Sequence, residues 1–270
     1  MDENCNNDCA SCTANCDSRK EVPKPTRNTN NEGVKKLIAI VSGKGGVGKT
    51  LITSLLAVEA QKQGHKVAVM DADITGPSIP TAFGLHKQAI YTEEGIFPVR
   101  TEKEIDVMSI NLLLEDTTAP VVWRGPVISG AINQFWSDVV WGNQDIMFID
   151  MPPGTGDVPL TVFQSLPVDA IIVVTSPQEL VSVVVEKAVN MAKLMNIPIL
   201  GLIENMSYFE CDCGKLHYIY GESTAPKIAK KYSLPLLARL PITAEYAQLS
   251  NEGKIEEADS SAFIPIIKML

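Results

Sequence analysis

From residue 34 onward the chain alternates short apolar runs with longer segments of helical spacing. The apolar runs end in polar residues or glycines, which is typical of strands buried on both faces of a parallel sheet. They lie at residues 37–41, 67–70, 146–149, 170–174, 199–203 and 236–240. Helices are predicted at 50–63, 126–140 and 179–195 and twice near the end, while 96–114 is interpreted as a hairpin or two edge strands. This order predicts an α/β fold with a doubly wound, mostly parallel sheet.

Residues 1–33 have a different character from the rest of the chain. They are polar and rich in asparagine, contain Pro23 and Pro25, and hold four of the six cysteines. Such a composition predicts a flexible, cysteine-bearing arm and linker. The remaining residues, 34–270, are predicted to form one domain.

The charge balance restricts the possible partners. The formal net charge is −9 and the pI is about 4.9, which argues against nucleic-acid binding because phosphate neutralisation needs clustered Lys and Arg. No apolar run approaches the roughly 18 residues of a membrane span. The first ten residues, MDENCNNDCA, lack the basic and apolar regions of a signal peptide. We therefore expect a cytoplasmic protein with neither nucleic-acid nor membrane partners.

Residues 43–50 read GKGGVGKT and satisfy the phosphate-loop pattern G-x-x-x-x-G-K-[ST]. The residues expected to contact the nucleotide are Gly43, Lys44, Gly45, Gly46, Val47, Gly48, Lys49 and Thr50. Lys49 is expected to reach the β- and γ-phosphates, and the Thr50 hydroxyl to bind Mg²⁺. A predicted strand before the loop and a helix after it argue against a chance glycine-rich turn. Lys44 is a second lysine that the ordinary loop does not need, which suggests a further task such as reaching the phosphates of another subunit.

Carboxylates follow two of the predicted strands. Asp71 and Asp73 come after the second, and Asp150 comes after the third, ahead of a loop rich in proline and glycine. Because ligands bind beyond the carboxyl ends of parallel strands, these groups are expected near the phosphate loop. Asp150 fits a Walker B role, while Asp73 is a candidate for orienting water or holding the metal shell, with turn capping as the alternative. The candidate catalytic residues are Lys44, Lys49, Asp73 and Asp150, and the candidate Mg²⁺ ligands are Thr50, Asp73 and Asp150.

The loop with Lys44 resembles the deviant Walker A motif of the ATPase family that includes Min and Par proteins and the nitrogenase iron protein. Five further segments are similar to one branch, the Mrp/ApbC-type iron–sulfur cluster carrier ATPases with the cytosolic nucleotide-binding-protein scaffolds. The segments read DADITGPSIP, WRGPVISGAINQF, DMPPGTGD, TSPQEL and ENMSYF. The resemblance covers about residues 35–250. It implies a P-loop NTPase domain that forms a homodimer with two facing ATP sites.

The same resemblance implies roles for individual residues. Lys44 would contact the nucleotide of the partner subunit, and Asp73 and Asp150 would match the two switch aspartates. Asn205 would match the asparagine that reads the adenine edge, with Pro241 in the segment that lines the base. Asn205 has an alternative role, since asparagine also caps turns.

The cysteines fall into two groups, and disulfides are not expected in a reducing compartment. The first group is Cys5, Cys9, Cys12 and Cys16, and the second is Cys211 and Cys213. The first has the spacing C-x3-C-x2-C-x3-C, which suits a complete four-thiolate site and is near the ferredoxin spacing. The resemblance implies a [4Fe–4S] cluster here, whereas the spacing alone does not choose between iron and zinc. A Cys₄ zinc site and a stripe along one face of a helix without metal stay open.

Cys211 and Cys213 form a C-x-C pair where the resemblance implies C-x-x-C. Two thiolates are half of a four-ligand site, so a two-fold dimer would supply the other half. A redox-active or merely exposed cysteine pair is the alternative.

These features predict an ATP-hydrolysing carrier or scaffold that assembles or transfers [4Fe–4S] clusters as a homodimer with a bridging cluster. The implied cofactors are ATP, Mg²⁺ and the cluster, with zinc as the alternative at the cysteines. The implied partners are cluster donors and apo iron–sulfur proteins. Two other functions stay open: a Min/Par-type positioning switch, and an NTPase with structural zinc. A switch of that type usually needs a membrane tail or a basic DNA-binding surface, and the sequence offers neither.

Overall fold

The computed structural model describes residues 29–74, 76–114, 125–154, 156–178 and 181–270. The four-cysteine arm therefore lies outside the described residues. The strands are β1 Val34–Ser42, β2 Val67–Asp71, β3 Ile90–Thr92, β4 Gly95–Phe97, β5 Val99–Arg100, β6 Asp106–Met108, β7 Gln144–Asp150, β8 Ala170–Thr175, β9 Ile199–Glu210, β10 Leu216–His217 and β11 Leu236–Pro241. The α-helices are α1 Lys49–Lys62, α2 Ile79–Ala82, α3 Gly125–Ser137, α4 Asp157–Ser165, α5 Val181–Leu194, α6 Ala225–Tyr232, α7 Ala244–Asn251 and α8 Ile264–Met269.

The main sheet has the strand order β10-β9-β8-β1-β7-β2-β6-β5, with β11 also paired to β9. Strands β11, β9, β8, β1, β7, β2 and β6 pair in parallel, and the antiparallel strands β5 and β10 pair at its two ends. Every residue of β2 and β8 is buried, as expected for parallel strands covered on both faces. The predicted doubly wound sheet is confirmed, and β1 lies at its centre with the phosphate loop directly after it.

Residues 96–114 hold the end of a hairpin and the edge of the main sheet. β3 and β4 form a separate antiparallel hairpin over residues 90–97, most of which precedes the range that the sequence indicated. β6 joins the main sheet parallel to β2, and the two-residue strand β5 pairs antiparallel to β6. The short strands explain why the apolar pattern was ambiguous there, since two or three residues give no measurable period.

Strand β9 is longer than predicted, because it continues past residue 203 to Glu210. The extension is irregular: three residues of β9 lie between the paired positions Glu204 and Tyr208, against one residue of β11. Within this bulge Met206 has φ 54°, in the left-handed region. The expectation that the strand ends at residue 203 was wrong, because β10 and β11 supply partners that extend it.

The core is continuous beneath both faces of the sheet, with Phe135, Trp141 and Phe148 among its largest buried side chains. The end of the chain belongs to this core, since Phe263, Ile266 and Ile267 are buried. Across the described ranges, no helix combines the length and the apolar content needed to cross a bilayer.

Candidate functional site

The phosphate loop joins β1 to α1 with the geometry of an anion cradle. Gly46 and Gly48 have φ of 80° and 83°, a left-handed conformation that side chains disfavour. α1 begins right after Gly48, and none of the described side chains caps its first N–H groups. These groups and the positive end of the helix dipole are therefore available to a phosphate.

Lys49 is buried beside two carboxylates at the start of α1. Its Nζ lies 2.6 Å from Oδ1 of Asp150 and 3.7 Å from Oδ2 of Asp73. The fully buried Asp150 also accepts hydrogen bonds from the hydroxyls of Thr50 at 2.6 Å and Thr53 at 2.9 Å. A buried carboxylate needs such donors, and here they come from successive turns of one helix. The sequence reasoning missed Thr53, although it lies one turn after Lys49.

The predicted Mg²⁺ ligands Thr50, Asp73 and Asp150 lie around the Lys49 amine. A hydroxyl and two carboxylates are oxygen donors, which Mg²⁺ prefers. The donor set therefore fits the ion. Mg²⁺ bound there would neutralise charge on the phosphates, while Lys49 would supply a second cation at the same place.

Asp71 closes β2 as a buried carboxyl group and does not face solvent. Burial, followed by the charge of Asp150, raises its pKa to about 8. Its Oδ2 accepts from the Ser109 hydroxyl at 3.0 Å, and its Oδ1 accepts from the Asp73 N–H at 3.1 Å. Asp71 therefore caps the turn that contains Asp73. Turn capping was the structural alternative to a role at the nucleotide for these strand-end carboxylates.

Asn205 lies in the β9 bulge and packs against the phosphate loop. Its Nδ2 donates to the carbonyl of Val47 at 3.0 Å, and its Oδ1 accepts from the Met206 N–H at 2.9 Å. A Cβ on Gly48 would lie 2.2 Å from the same Nδ2. Pro241 ends β11 and pairs with Tyr208, further along β9. The carboxyl edge of the sheet thus brings Asn205 to the phosphate loop, while Pro241 lies on β11, beside the strand that carries Asn205.

Lys44 folds back on its own chain. Its Nζ donates to Oε1 of Gln178, in the segment after β8. The Ser42 hydroxyl donates to the Lys44 carbonyl at 3.0 Å, and the Gly154 N–H donates to the Ser42 carbonyl at 2.9 Å. The loop and the segment after Asp150 are therefore joined through Ser42. Gln178 was not among the predicted site residues, although it lies within the motif TSPQEL.

Cys211 and Cys213 occupy the turn between β9 and β10. The Cys211 N–H donates to the Lys215 carbonyl at 3.1 Å, and the Gly214 N–H donates to the Cys211 carbonyl at 2.8 Å. Cys211 is half-buried and Cys213 is exposed. Hydrogen bonds with Cys213, and then with His217, lower the pKa of the Cys211 thiol to about 6. A thiol of this kind is a ready thiolate ligand at neutral pH.

Apolar side chains surround this turn and point into solvent. The exposed ones are Phe209, Leu216, Tyr218, Ile219 and Tyr220, with exposed fractions from 41% to 59%. Clustered exposed apolar residues mark interaction surfaces in soluble proteins. We call these five residues and the two cysteines the cysteine hairpin. Sequence reasoning did not identify this surface. The available signal was the high density of aromatic residues in this segment.

The predicted site at Cys5, Cys9, Cys12 and Cys16 falls outside the described residues. Within the described ranges, no group of three or more His, Cys, Asp or Glu side chains is arranged to hold a metal ion. The Cys211–Cys213 pair is thus an incomplete set of ligands within the described chain.

Comparison with known proteins gives a consistent result. Residues 33–269 match the family model ParA, described as NUBPL iron-transfer P-loop NTPase. A Clostridium perfringens iron-sulfur cluster carrier protein is 42% identical over 266 residues, covering 92% of this chain and 93% of the relative. The carrier protein of Methanocaldococcus jannaschii is 48% identical over 223 residues, covering 82% and 77%.

Solved structures agree with the fold. The nucleotide-binding protein of Archaeoglobus fulgidus in complex with ADP has a TM-score of 0.78 and 43% identity, covering 87% of this chain and 94% of that one. The septum site-determining protein MinD of Pyrococcus horikoshii, complexed with Mg-ADP, has a TM-score of 0.65 at 21% identity, covering 87% and 96%, and supports the fold alone. With its phosphate loop, its parallel sheet and these relatives, the chain belongs to the NUBPL iron-transfer P-loop NTPase family.

Proposed function

We propose that this protein is an ATP-dependent carrier of iron–sulfur clusters that works as a homodimer and delivers its cargo to apoproteins. The observation that carries the proposal is the pair of thiols in the cysteine hairpin, the half-buried Cys211 and the exposed Cys213. They lie on a P-loop NTPase whose relatives are named iron-sulfur cluster carrier proteins. Thiolates are the ligands that hold such clusters, and exposed thiolates can pass a cluster to another protein.

The nucleotide site supports ATP binding and hydrolysis. α1 offers free N–H groups and Lys49 for the phosphates, and Thr50, Asp73 and Asp150 offer oxygen ligands for Mg²⁺. Asp150 lies at the end of β7, where a carboxylate can polarise water bound to the metal. Lys44 supplies the cation that we assign to the phosphates of the second copy.

The incomplete ligand set of the cysteine hairpin supports a homodimer. A [4Fe–4S] cluster takes four thiolates, and one cysteine hairpin supplies two. A two-fold axis beside the hairpin would bring the second pair, and the exposed apolar residues of the hairpin would be covered in the same contact.

Strand β9 offers a route between the two sites. Asn205 touches the phosphate loop, and Cys211 follows six residues later, just after the end of β9. A fully extended strand of that length would span about 20 Å, and the bulge at Met206 shortens this distance. Nucleotide exchange that moves Asn205 would therefore move the base of the hairpin. Cluster affinity can then differ between nucleotide states, which is the condition for ATP to drive release.

The test is anaerobic reconstitution with iron and sulfide of a variant in which the four arm cysteines are alanine. This variant isolates the hairpin pair, and we expect visible absorbance with about four irons per two chains, in the dimer. The matched control also replaces Cys211 and Cys213, and should take up none. A colourless variant that binds zinc and no iron would contradict the proposal and support an NTPase with structural zinc. Loss of iron with retained nucleotide-dependent dimerisation would support a positioning switch.

Two lysine variants test the nucleotide half of the proposal. Lys49→Ala should abolish nucleotide binding measured by calorimetry, since it removes the cation at the phosphates. Lys44→Ala should slow hydrolysis more than it weakens binding, because its amine acts on the other copy. Normal hydrolysis by Lys44→Ala would show that the assignment across the interface is wrong.

The four-cysteine arm is proposed to hold a second [4Fe–4S] cluster on its own. To test this, iron is measured in a variant that keeps the four arm cysteines and lacks Cys211 and Cys213. Uptake of zinc and no iron by this variant would contradict the proposal. Its four thiolates need no second chain, so iron in this variant should be independent of dimerisation.

A further inference from the structure

The amine of Lys44 has a partner within its own chain, and that partner is a neutral amide. Nζ donates to Oε1 of Gln178, three residues after the end of β8. Lys49, five residues away in the same loop, instead pairs with the carboxylates of Asp150 and Asp73. In the part of the chain that the structure describes, Lys44 has no such ion pair. The two lysines of one loop are thus held by acceptors of different charge.

The backbone beneath Lys44 is fixed independently of its side chain. The Ser42 hydroxyl donates to the Lys44 carbonyl, and Ser42 is itself bonded to Gly154. The freedom that is left belongs to the long side chain, which can turn while the loop keeps its shape. The position of the amine is therefore decided by the acceptor that binds it best.

A neutral amide is the weaker competitor for an ammonium group. The bond from the ammonium group to the amide is already charge-assisted through its donor, but a phosphate or carboxylate acceptor adds attraction between opposite charges, which an amide oxygen lacks. The amide of Gln178 therefore holds the Lys44 amine when no phosphate is near and loses it to a phosphate. A carboxylate at position 178 would hold the amine much more firmly.

We infer that Gln178 is a positioning residue that keeps Lys44 against its own chain until the phosphates of a second copy's nucleotide take the amine. The inference rests on the proposed function, in which Lys44 acts across a homodimer. Gln178 acts through Lys44, and it changes the nucleotide concentration at which the ATP-bound dimer forms.

The first experiment measures dimerisation of the full chain with Mg²⁺ and a slowly hydrolysed ATP analogue, by sedimentation velocity. Gln178→Glu should raise the analogue concentration needed for half-maximal dimer by roughly tenfold. Gln178→Met has similar size but lacks the oxygen acceptor, and should lower that concentration severalfold. Shifts in the same direction for both variants would overturn the inference.

The matched control removes the lysine. In a Lys44→Ala background the two Gln178 substitutions should have no effect on dimerisation, because their partner is gone. Ser176→Ala changes a buried residue of the same segment without touching Lys44, and should leave wild-type dimerisation unchanged. Gln178 effects that persist without Lys44 would show that the residue acts through the segment itself.

A second readout needs no dimer. Reductive methylation of Lys44, followed by peptide mass spectrometry on nucleotide-free protein, reports whether the amine is held. Gln178→Met should be labelled severalfold faster than wild type and Gln178→Glu more slowly, while equal rates would refute the contact. The two failures can be told apart. If the three proteins are methylated at the expected relative rates but the wild type never dimerises with ATP, the proposed function is contradicted while the contact between Lys44 and Gln178 stands.

Discussion

The contact between Asn205 and the phosphate loop can be tested with three glycine-to-alanine changes in one loop. Gly45 has no positive φ and has open space where a Cβ would lie, and Gly46 has φ 80° with the same open space. Gly48 has φ 83°, and a Cβ there would collide with Nδ2 of Asn205. The three positions thus separate backbone strain from collision with Asn205. Gly45→Ala is the matched control, because it carries the general effect of alanine on the unfolded chain.

The expected costs follow from this geometry. Relative to Gly45→Ala, Gly46→Ala should lower the free energy of unfolding by about 1–2 kcal/mol, the cost of a side chain in the left-handed region. Gly48→Ala should cost about 1 kcal/mol more, because the new methyl displaces Asn205 and breaks its hydrogen bond to the Val47 carbonyl. Its total cost is therefore about 2–3 kcal/mol.

Urea denaturation of the nucleotide-free protein measures the three values. Adding Asn205→Ala to each variant isolates the collision: it should cost less in the Gly48→Ala background than in the Gly45→Ala background, since the bond is already lost. Equal stabilities of Gly46→Ala and Gly48→Ala would refute the packing of Asn205 on the loop. The proposed route from the nucleotide to the cysteine hairpin along β9 would then lose its first contact.

Three further predictions concern charged groups. Lys49→Ala should destabilise the nucleotide-free fold by about 3 kcal/mol, because Asp150 stays buried without its cation; a loss below about 1 kcal/mol in urea denaturation would contradict the ion pair. Cys213→Ala should slow alkylation of Cys211 by iodoacetamide at pH 7, because it removes the hydrogen bond that contributes most to the low pKa of Cys211; a Cys211 thiol that reacts as before would disprove that cause. The raised pKa of Asp71 means that its contribution to stability is complete below pH about 4 and is lost as the pH rises through about 8. In the wild type, the free energy of unfolding should therefore fall between pH 5 and 8, and in Asp71→Asn it should fall less. An equal fall in both proteins would refute the raised pKa of Asp71.

Much of the fold could be predicted because the central strands are buried on both faces. The runs that became β1, β2, β7 and β8 are apolar from end to end, and each was found to within a few residues. β3, β4 and β5 could not be placed, because strands of two or three residues carry little pattern. The predicted β9 was too short because its second half mixes polar, partly buried and exposed residues, and pairing with β10 and β11 decides its length.

The phosphate site was predictable for a related reason. The loop motif and the rule of the carboxyl edge together brought Lys49, Asp73, Asp150 and Asn205 to one place. Partners that come from distant segments could not be found this way. Gln178 reaches Lys44 across 134 positions, a pairing that no local pattern encodes.

The cysteine hairpin has a consequence for how the protein would respond to its own abundance. A cargo site divided between two chains fills with a dependence on the square of the chain concentration, since loading and pairing are one equilibrium. Halving the amount of protein would then reduce loaded carrier by up to fourfold when most chains are single. In the proposed dimer, the amount of loaded carrier would therefore depend steeply on the amount of protein, whereas a site with all four ligands from one chain would lack that sensitivity.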